Sequence, residues 1–182
     1  MYVARILYPV EVLGPGRRVG IWLCGCPRRC RGCSNPELWE FQERYKTTPE
    51  TVFRLVRDIA GSNPVEGFTV TGGDPMLQPE ELQRLLIMLK TISDDIIVYT
   101  GYEIGELEPY MLSNISVLVD GEYIEELNGN SLLRGSSNQK IIILDEDKRS
   151  KYERYLQTAT NKIQNFFTAD GVISVGIHRP GF

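Results

Sequence analysis

Two kinds of apolar pattern alternate along the chain. Val19 to Cys24 is a short apolar run after the turn residues Gly14-Pro15-Gly16, which predicts a buried strand. From Thr48 the spacing changes: Val52, Leu55, Val56 and Ile59 recur at helical intervals. With Thr48 placed as a cap and Pro49 at the first helical position, a helix is predicted to about Ala60. Gly67 to Thr71 reads as the next strand and ends in Gly72-Gly73-Asp74-Pro75, and Pro79 to about Ile92 is a helix carrying Leu82, Leu85, Leu86 and Leu89 on one face. The alternation continues with a strand at Ile96 to Thr100, a helix at Ile104 to Leu112, a strand at Ile115 to Val119 ending in Asp120-Gly121, and a strand at Lys140 to Leu144. Asp145 to Thr160 is highly charged and predicted helical. Lys162 to Phe167 and Gly171 to Ile177 flank Asp170-Gly171 as the arms of a hairpin.

Apolar strands separated by amphipathic helices define an α/β chain with a mainly parallel sheet. Residues 1–182 are predicted to form one domain, with a cysteine loop at 24–33 and a C-terminal extension from about 162 to 182. A closed ring of eight β/α units needs about 200 to 250 residues, so this chain has room for about five or six units and an incomplete ring. Parallel sheets gather chemistry at the C-terminal ends of their strands. The cysteines follow one predicted strand, the glycine pair the next, Thr100-Gly101-Tyr102 a third and Asp120-Gly121 a fourth.

Composition narrows the class. With 42% hydrophobic and 24% charged residues the chain is globular, and a net charge of −4 disfavours a surface built to grip nucleic acid. No apolar run approaches the roughly 18 residues of a membrane span. Met1 to Leu13 carries Arg5 and Glu11 within an apolar alternation, unlike a signal peptide, so a cytoplasmic setting with reduced thiols is expected. All four cysteines, Cys24, Cys26, Cys30 and Cys33, fall within ten residues. A disulfide framework would spread them; a metal site would not.

Cys26-Pro-Arg-Arg-Cys30-Arg-Gly-Cys33 presents three thiols on one short loop, a donor set suited to an iron-sulfur cluster or to zinc. A zinc knuckle, structural or nucleic-acid-binding, would recruit Cys24 as a fourth ligand. Cys24 stands where an apolar strand residue is expected, and a packing role is its alternative. Gly72-Gly73-Asp74-Pro75 suits a strand-to-helix turn. His178 is the sole histidine and is expected at the surface.

The Cys-x3-Cys-x2-Cys loop after the first strands, the following Ser34-Asn35-Pro36-Glu37-Leu38-Trp39 and the later Gly72-Gly73-Asp74-Pro75 resemble the radical S-adenosylmethionine (SAM) superfamily. Thr100-Gly101-Tyr102, Val119 to Ile124 and Arg134 to Gln139 narrow the likeness to the activating enzymes of glycyl-radical proteins, above all those serving anaerobic ribonucleotide reductase. The likeness extends from Leu13 to about Ile143. The implied fold is an incomplete TIM-like β/α barrel, open at the side. Cys26, Cys30 and Cys33 would ligate a [4Fe-4S] cluster whose remaining iron takes SAM. Reductive cleavage of SAM would yield a 5′-deoxyadenosyl radical that removes hydrogen from a glycine of the reductase catalytic subunit. A small radical SAM enzyme acting on a peptide or heterocycle is the alternative.

The same resemblance assigns the backbone of Gly72 and Gly73, with Asp74, to the ammonium of SAM, although many superfamily members have Glu at that third position. It places Gly32, Cys33 and Ser34 at the adenine; Gly32 stands where much of the superfamily has an aromatic residue. Thr100, Asp120 and Ser136 are candidates either for SAM contact or for loop capping, and Asn138 and Gln139 for loop order. Arg28, Arg29 and Arg31, with Arg17 and Arg18, either offset the thiolates or form a docking patch for an acidic flavodoxin or ferredoxin. The C-terminal segment is expected to cover the sheet edge, to meet the partner, or both.

Overall fold

A computed structural model describes residues 1–169 and 171–179. One open sheet organises the chain: β1 (Val3–Val10), β2 (Arg18–Leu23), β3 (Gly67–Gly72), β4 (Ile96–Tyr99), β5 (Val117–Asp120) and β6 (Lys140–Ile143) lie side by side in chain order. The inner strands β2 to β5 pair in parallel; the edge strands β1 and β6 are antiparallel to their neighbours. The N-terminal alternation around Arg5 is therefore an edge strand. Three crossovers join the parallel strands, through α1 (Pro49–Ser62), α2 (Pro79–Leu89) and the single turn α3 (Pro109–Leu112); α4 (Arg149–Thr158) follows β6. No helix among the described residues is long and apolar enough to cross a membrane.

Strand alternation sorts the core into two faces. Phe68, Val70, Ile96, Val98 and Leu118 bury against Val52 and Val56 of α1 and Leu82, Leu85, Leu86 and Leu89 of α2. On the other face Ile97, Val117 and Val119 pack with Tyr152 of α4, while Val10, Val12, Leu13, Trp22 and Cys24 form a separate apolar cluster. Thr48 caps α1 as its residue type predicts, its Oγ accepting from the Thr51 N–H at 3.2 Å. The helix predicted over 104–112 is instead a 3-10 turn at Ile104–Glu106 followed by α3, because Glu108 precedes a proline and is extended at φ −68° and ψ 142°.

The C-terminal arms β7 (Ile163–Thr168) and β8 (Gly171–Gly176) form a hairpin outside the main sheet. Asp170 of the predicted turn and the last three residues of the extension lie outside the described residues. The hairpin covers the β1 side of the molecule. Gln164 accepts from the Glu11 N–H at 3.0 Å and donates to the Pro9 carbonyl at 2.7 Å, and Val175 is buried with Val10 and Trp22.

A buried ion pair locks the opposite end of the sheet from the cysteine loop. Arg18 opens β2 and Asp95 precedes β4; their side chains are 0% and 3% exposed and 3.0 Å apart. Arg18 also donates to Thr69 and to the carbonyls of Pro15 and Phe68, while Lys151 and Tyr152 of α4 donate to Asp95. Burial pushes the Asp95 carboxyl up, but Arg18, Lys151 and Tyr152 together hold it below the usual carboxylate range. A depressed native value means that its contribution to stability is complete above the unfolded-chain value of about 3.9 and is lost as pH falls through the native value. Arg18→Met should lose about 3–5 kcal/mol in denaturant unfolding at neutral pH. The gap from wild type should narrow as pH falls, because the variant's buried carboxylate, left with Lys151 and Tyr152, takes up a proton at higher pH than the wild type's; a gap independent of pH would remove the ion pair as its source.

Candidate functional site

The loop after β2 folds back on itself. Gly25 adopts φ +94° and its N–H donates to the Leu38 carbonyl at 2.8 Å; the Cys26 N–H donates to the Trp39 carbonyl at 2.8 Å. This presents Cys26, Cys30 and Cys33, all half-buried, to one cleft at the C-terminal ends of β2, β3 and β4. Cys24 is fully buried in the apolar cluster of Val10, Trp22 and Leu38 and does not line that cleft. Burial pushes the Cys26 thiol up, and burial, Glu122 and the two neighbouring thiols push Cys30 to about 11. In the unloaded chain these two sulfurs hold protons at neutral pH, which a metal centre displaces on binding. Among the described residues no three His, Cys, Asp or Glu side chains converge on the position of a single ion. Three soft thiol donors on one cleft wall are nonetheless the donor set that an iron-sulfur cluster takes.

Across the cleft, the turn after β3 lies backbone to backbone on the cysteine loop. The Gly73 N–H donates to Leu23 and the Asp74 N–H to Gly25, both at 2.7 Å. A Cβ on Gly72, which has φ +109°, would lie 2.4 Å from the Leu23 carbonyl oxygen, and one on Gly73 would lie 2.4 Å from that of Gly25. Both glycines are therefore required by the fold itself. Asp74, 2% exposed, is similarly committed: Oδ1 accepts from the Met76 N–H at 3.1 Å and the Thr100 hydroxyl at 2.8 Å, and Oδ2 from the Gly101 N–H at 3.0 Å. Burial nevertheless leaves its carboxyl above the usual range. The side chain assigned from the sequence to a ligand ammonium thus spends three acceptor positions on tying β3, β4 and their loops together.

The structure brings Cys33, Ser34, Gly72, Gly73, Asp74 and Thr100 to the cleft wall. Gly32 faces an adjoining groove that shares Cys33 and Ser34 with the cleft. Asp120 and Ser136 are buried and do not line it: Asp120 accepts from the Ile104 N–H and Ser136 from the Ile124 N–H. Gln139 orders the 135–139 loop, accepting from Gly135 and Ser136 and donating to Gly121, and Asn138 donates to Glu122. Sequence reasoning missed an apolar wall of Leu13, Trp22, Tyr99, Val175 and Ile177. The alternation that puts Tyr99 on the same face as Ile97 was a usable signal for one of these; nothing local marked the hairpin residues. His178, expected at the surface, is partly buried, lines the cleft and contacts Ser174 at 3.1 Å.

The arginines considered from the sequence as a docking patch are dispersed in space rather than gathered into one cluster. Arg29 pairs with Glu40, and Arg31 with Glu125 at 2.9 Å and Glu126 at 3.5 Å. Arg17 lies 4.0 Å from Glu11, Arg18 is buried at the far end of the sheet, and Arg28 turns into the cleft. The three exposed arginines of the set, Arg17, Arg29 and Arg31, each have an acidic neighbour, so they do not present one uncompensated basic cluster.

A family model for the 4Fe-4S single cluster domain matches residues 12–142, and the chain belongs to that class. More narrowly, it belongs to the family of anaerobic ribonucleoside-triphosphate reductase-activating proteins. It is 33% identical over 145 residues to the protein of that name from Escherichia coli strain K12, covering 74% of this chain and 94% of that one. The Salmonella typhi protein gives the same identity and coverage, and the phage T4 protein is 35% identical over 141 residues, covering 74% and 90%.

The backbone contact gives a direct test. Gly73→Ala should destabilise the protein by about 1–3 kcal/mol through overpacking and lower the iron retained after reconstitution. Gly61→Ala, in α1 with nothing within 4 Å of its added Cβ, should be neutral or stabilising by up to about 1 kcal/mol. Equal stability of the two variants by thermal unfolding would contradict the close approach.

Proposed function

We propose that the chain is a radical SAM activase that holds a [4Fe-4S] cluster on Cys26, Cys30 and Cys33 and installs a glycyl radical on the catalytic subunit of an anaerobic ribonucleotide reductase. One observation carries this reading: the three thiols and the side-chain-free Gly72-Gly73 backbone share one cleft, with Cys24 excluded from it. When bound, the cluster and SAM supply the one-electron reductive cleavage that begins the radical chemistry.

The protein's own tasks are ligation, orientation and exclusion of water. Cys26, Cys30 and Cys33 would hold the cluster by three ligands and leave a position for SAM. The Gly72-Gly73 backbone would meet the amino-acid end of that ligand, and Asp74 holds Thr100 and Gly101 in place. Leu13, Trp22, Tyr99 and Val175 give the remainder of the ligand an apolar surface. The groove that joins the cleft at Cys33 and Ser34 gives a protein segment a route inward. In this reading the open sheet is a partial barrel whose missing side admits the partner. A low-potential flavodoxin or ferredoxin supplies the electron, and the cytoplasm is the setting.

Anaerobic reconstitution, then reduction with SAM and the reductase subunit, should give a glycyl radical signal by electron paramagnetic resonance. Ala at Cys26, Cys30 or Cys33 should abolish both the cluster absorbance and the radical, whereas Cys24→Ala should keep both. A colourless protein with one tightly bound zinc removes the reading. SAM cleavage with no radical on the reductase keeps the chemistry and moves the substrate to a peptide or small molecule.

A further inference from the structure

We propose that Arg28 is the binding residue that recognises the carboxylate of the cleft's ligand, so that Asp74 and Arg28 together frame the head of an α-amino acid. With SAM as the ligand, this inference rests on the function proposed above. The argument begins with hydrogen-bond accounting. A guanidinium carries five N–H donors and stays charged at every physiological pH. The Arg28 side chain is only 23% exposed, and its one ionic neighbour among the described residues is Asp74, with Nε 3.9 Å from Oδ2. That distance is too long for a hydrogen bond, and the carboxylate already accepts from Met76, Thr100 and Gly101. Among the described residues the Arg28 guanidinium has no hydrogen-bond acceptor.

What holds it is non-directional. The guanidinium lies 4.4 Å from the centre of the Tyr102 ring, an attraction to the ring face that leaves the N–H edge available. The slot is built for this side chain: a Cβ on Gly101 would lie 2.5 Å from both Cδ and Nε of Arg28. The other two arginines of the loop are exposed and paired with Glu40, Glu125 and Glu126. Arg28 alone among the three lines the cleft, where an unpaired donor edge in a partly dry setting favours an anion. Next to it stands Asp74, whose carboxylate favours a cation, and the side-chain-free Gly72-Gly73 backbone lines the same cleft. Opposite charges 3.9 Å apart, one with its donors unused, match the ammonium and carboxylate borne on a single carbon.

The test is anaerobic calorimetric binding of SAM and of decarboxylated SAM to reconstituted wild type, Arg28→Gln, Arg28→Lys and Gly101→Ala, each matched for cluster content. Arg28→Gln should bind SAM about 10- to 100-fold more weakly, the scale of one charged hydrogen bond. Its preference for SAM over the decarboxylated compound should shrink by about tenfold or more, whatever share the cluster itself contributes to that preference. Arg28→Lys should recover part of the loss. Gly101→Ala, which keeps the charge but crowds it from its slot, should fall between, and it carries the test if Arg28→Gln fails to load a cluster. If SAM binds all variants equally, or the preference is unchanged in Arg28→Gln and Gly101→Ala, Arg28 does not touch the carboxylate and the inference is overturned alone. If loaded wild type binds no SAM, the inference falls together with the function on which it rests.

Discussion

The cleft depends on two backbones lying in contact. Where β3 ends, Gly72 and Gly73 press onto Leu23 and Gly25 so closely that neither tolerates a Cβ, and two 2.7 Å hydrogen bonds close the contact. This fixes how far the cysteine loop stands from the strand ends. Asp74 then carries the constraint sideways to Thr100 and Gly101 at the end of β4. A carboxylate with that many protein donors is poorly placed to offer itself fully to a ligand, so the glycines and the aspartate of the motif are as much architecture as recognition. Function at such a site comes from what the rigid contact leaves facing the cleft: thiols on one side, unencumbered backbone on the other.

The parallel core and its helices were legible because their signals are local. The capping Thr48, the leucine spacing of α2 and the apolar runs of β2 to β5 each report on a neighbourhood of a few residues. Cys24 was legible for the same reason, since it closes an apolar run at a position where a buried strand residue is expected. The interval 104–112 was misread because the proline within it starts a new turn, and the apolar residues on both sides hid the break. Asp120 and Ser136 drew notice as polar residues at strand ends or in loops, yet they satisfy backbone N–H groups from within. A polar side chain beside a site serves the ligand or the loop, and one sequence does not say which.

Charge was the least legible property. Arg28, Arg29 and Arg31 are near neighbours in the chain and look like one basic cluster. In space they part company: Arg29 and Arg31 turn outward to glutamates, and Arg28 turns inward over Tyr102. Sequence proximity sums their charges, whereas the fold assigns each a separate partner, and the glutamates on Arg31 come from 125 and 126. The buried Arg18–Asp95 pair lies further still from that cluster, at the other end of the sheet, where it fastens α4 beneath the strands.

The hairpin gives the site a history as well as a shape. Ser174 to His178 form one side of a cleft whose cysteines come far earlier in the sequence, and among the described residues no main-sheet strand pairs with the hairpin. On the ribosome, the thiols and the first strand ends emerge while that side is still unmade. The nascent chain therefore displays these thiols in an unfinished site until the hairpin, translated much later, emerges to form its other side.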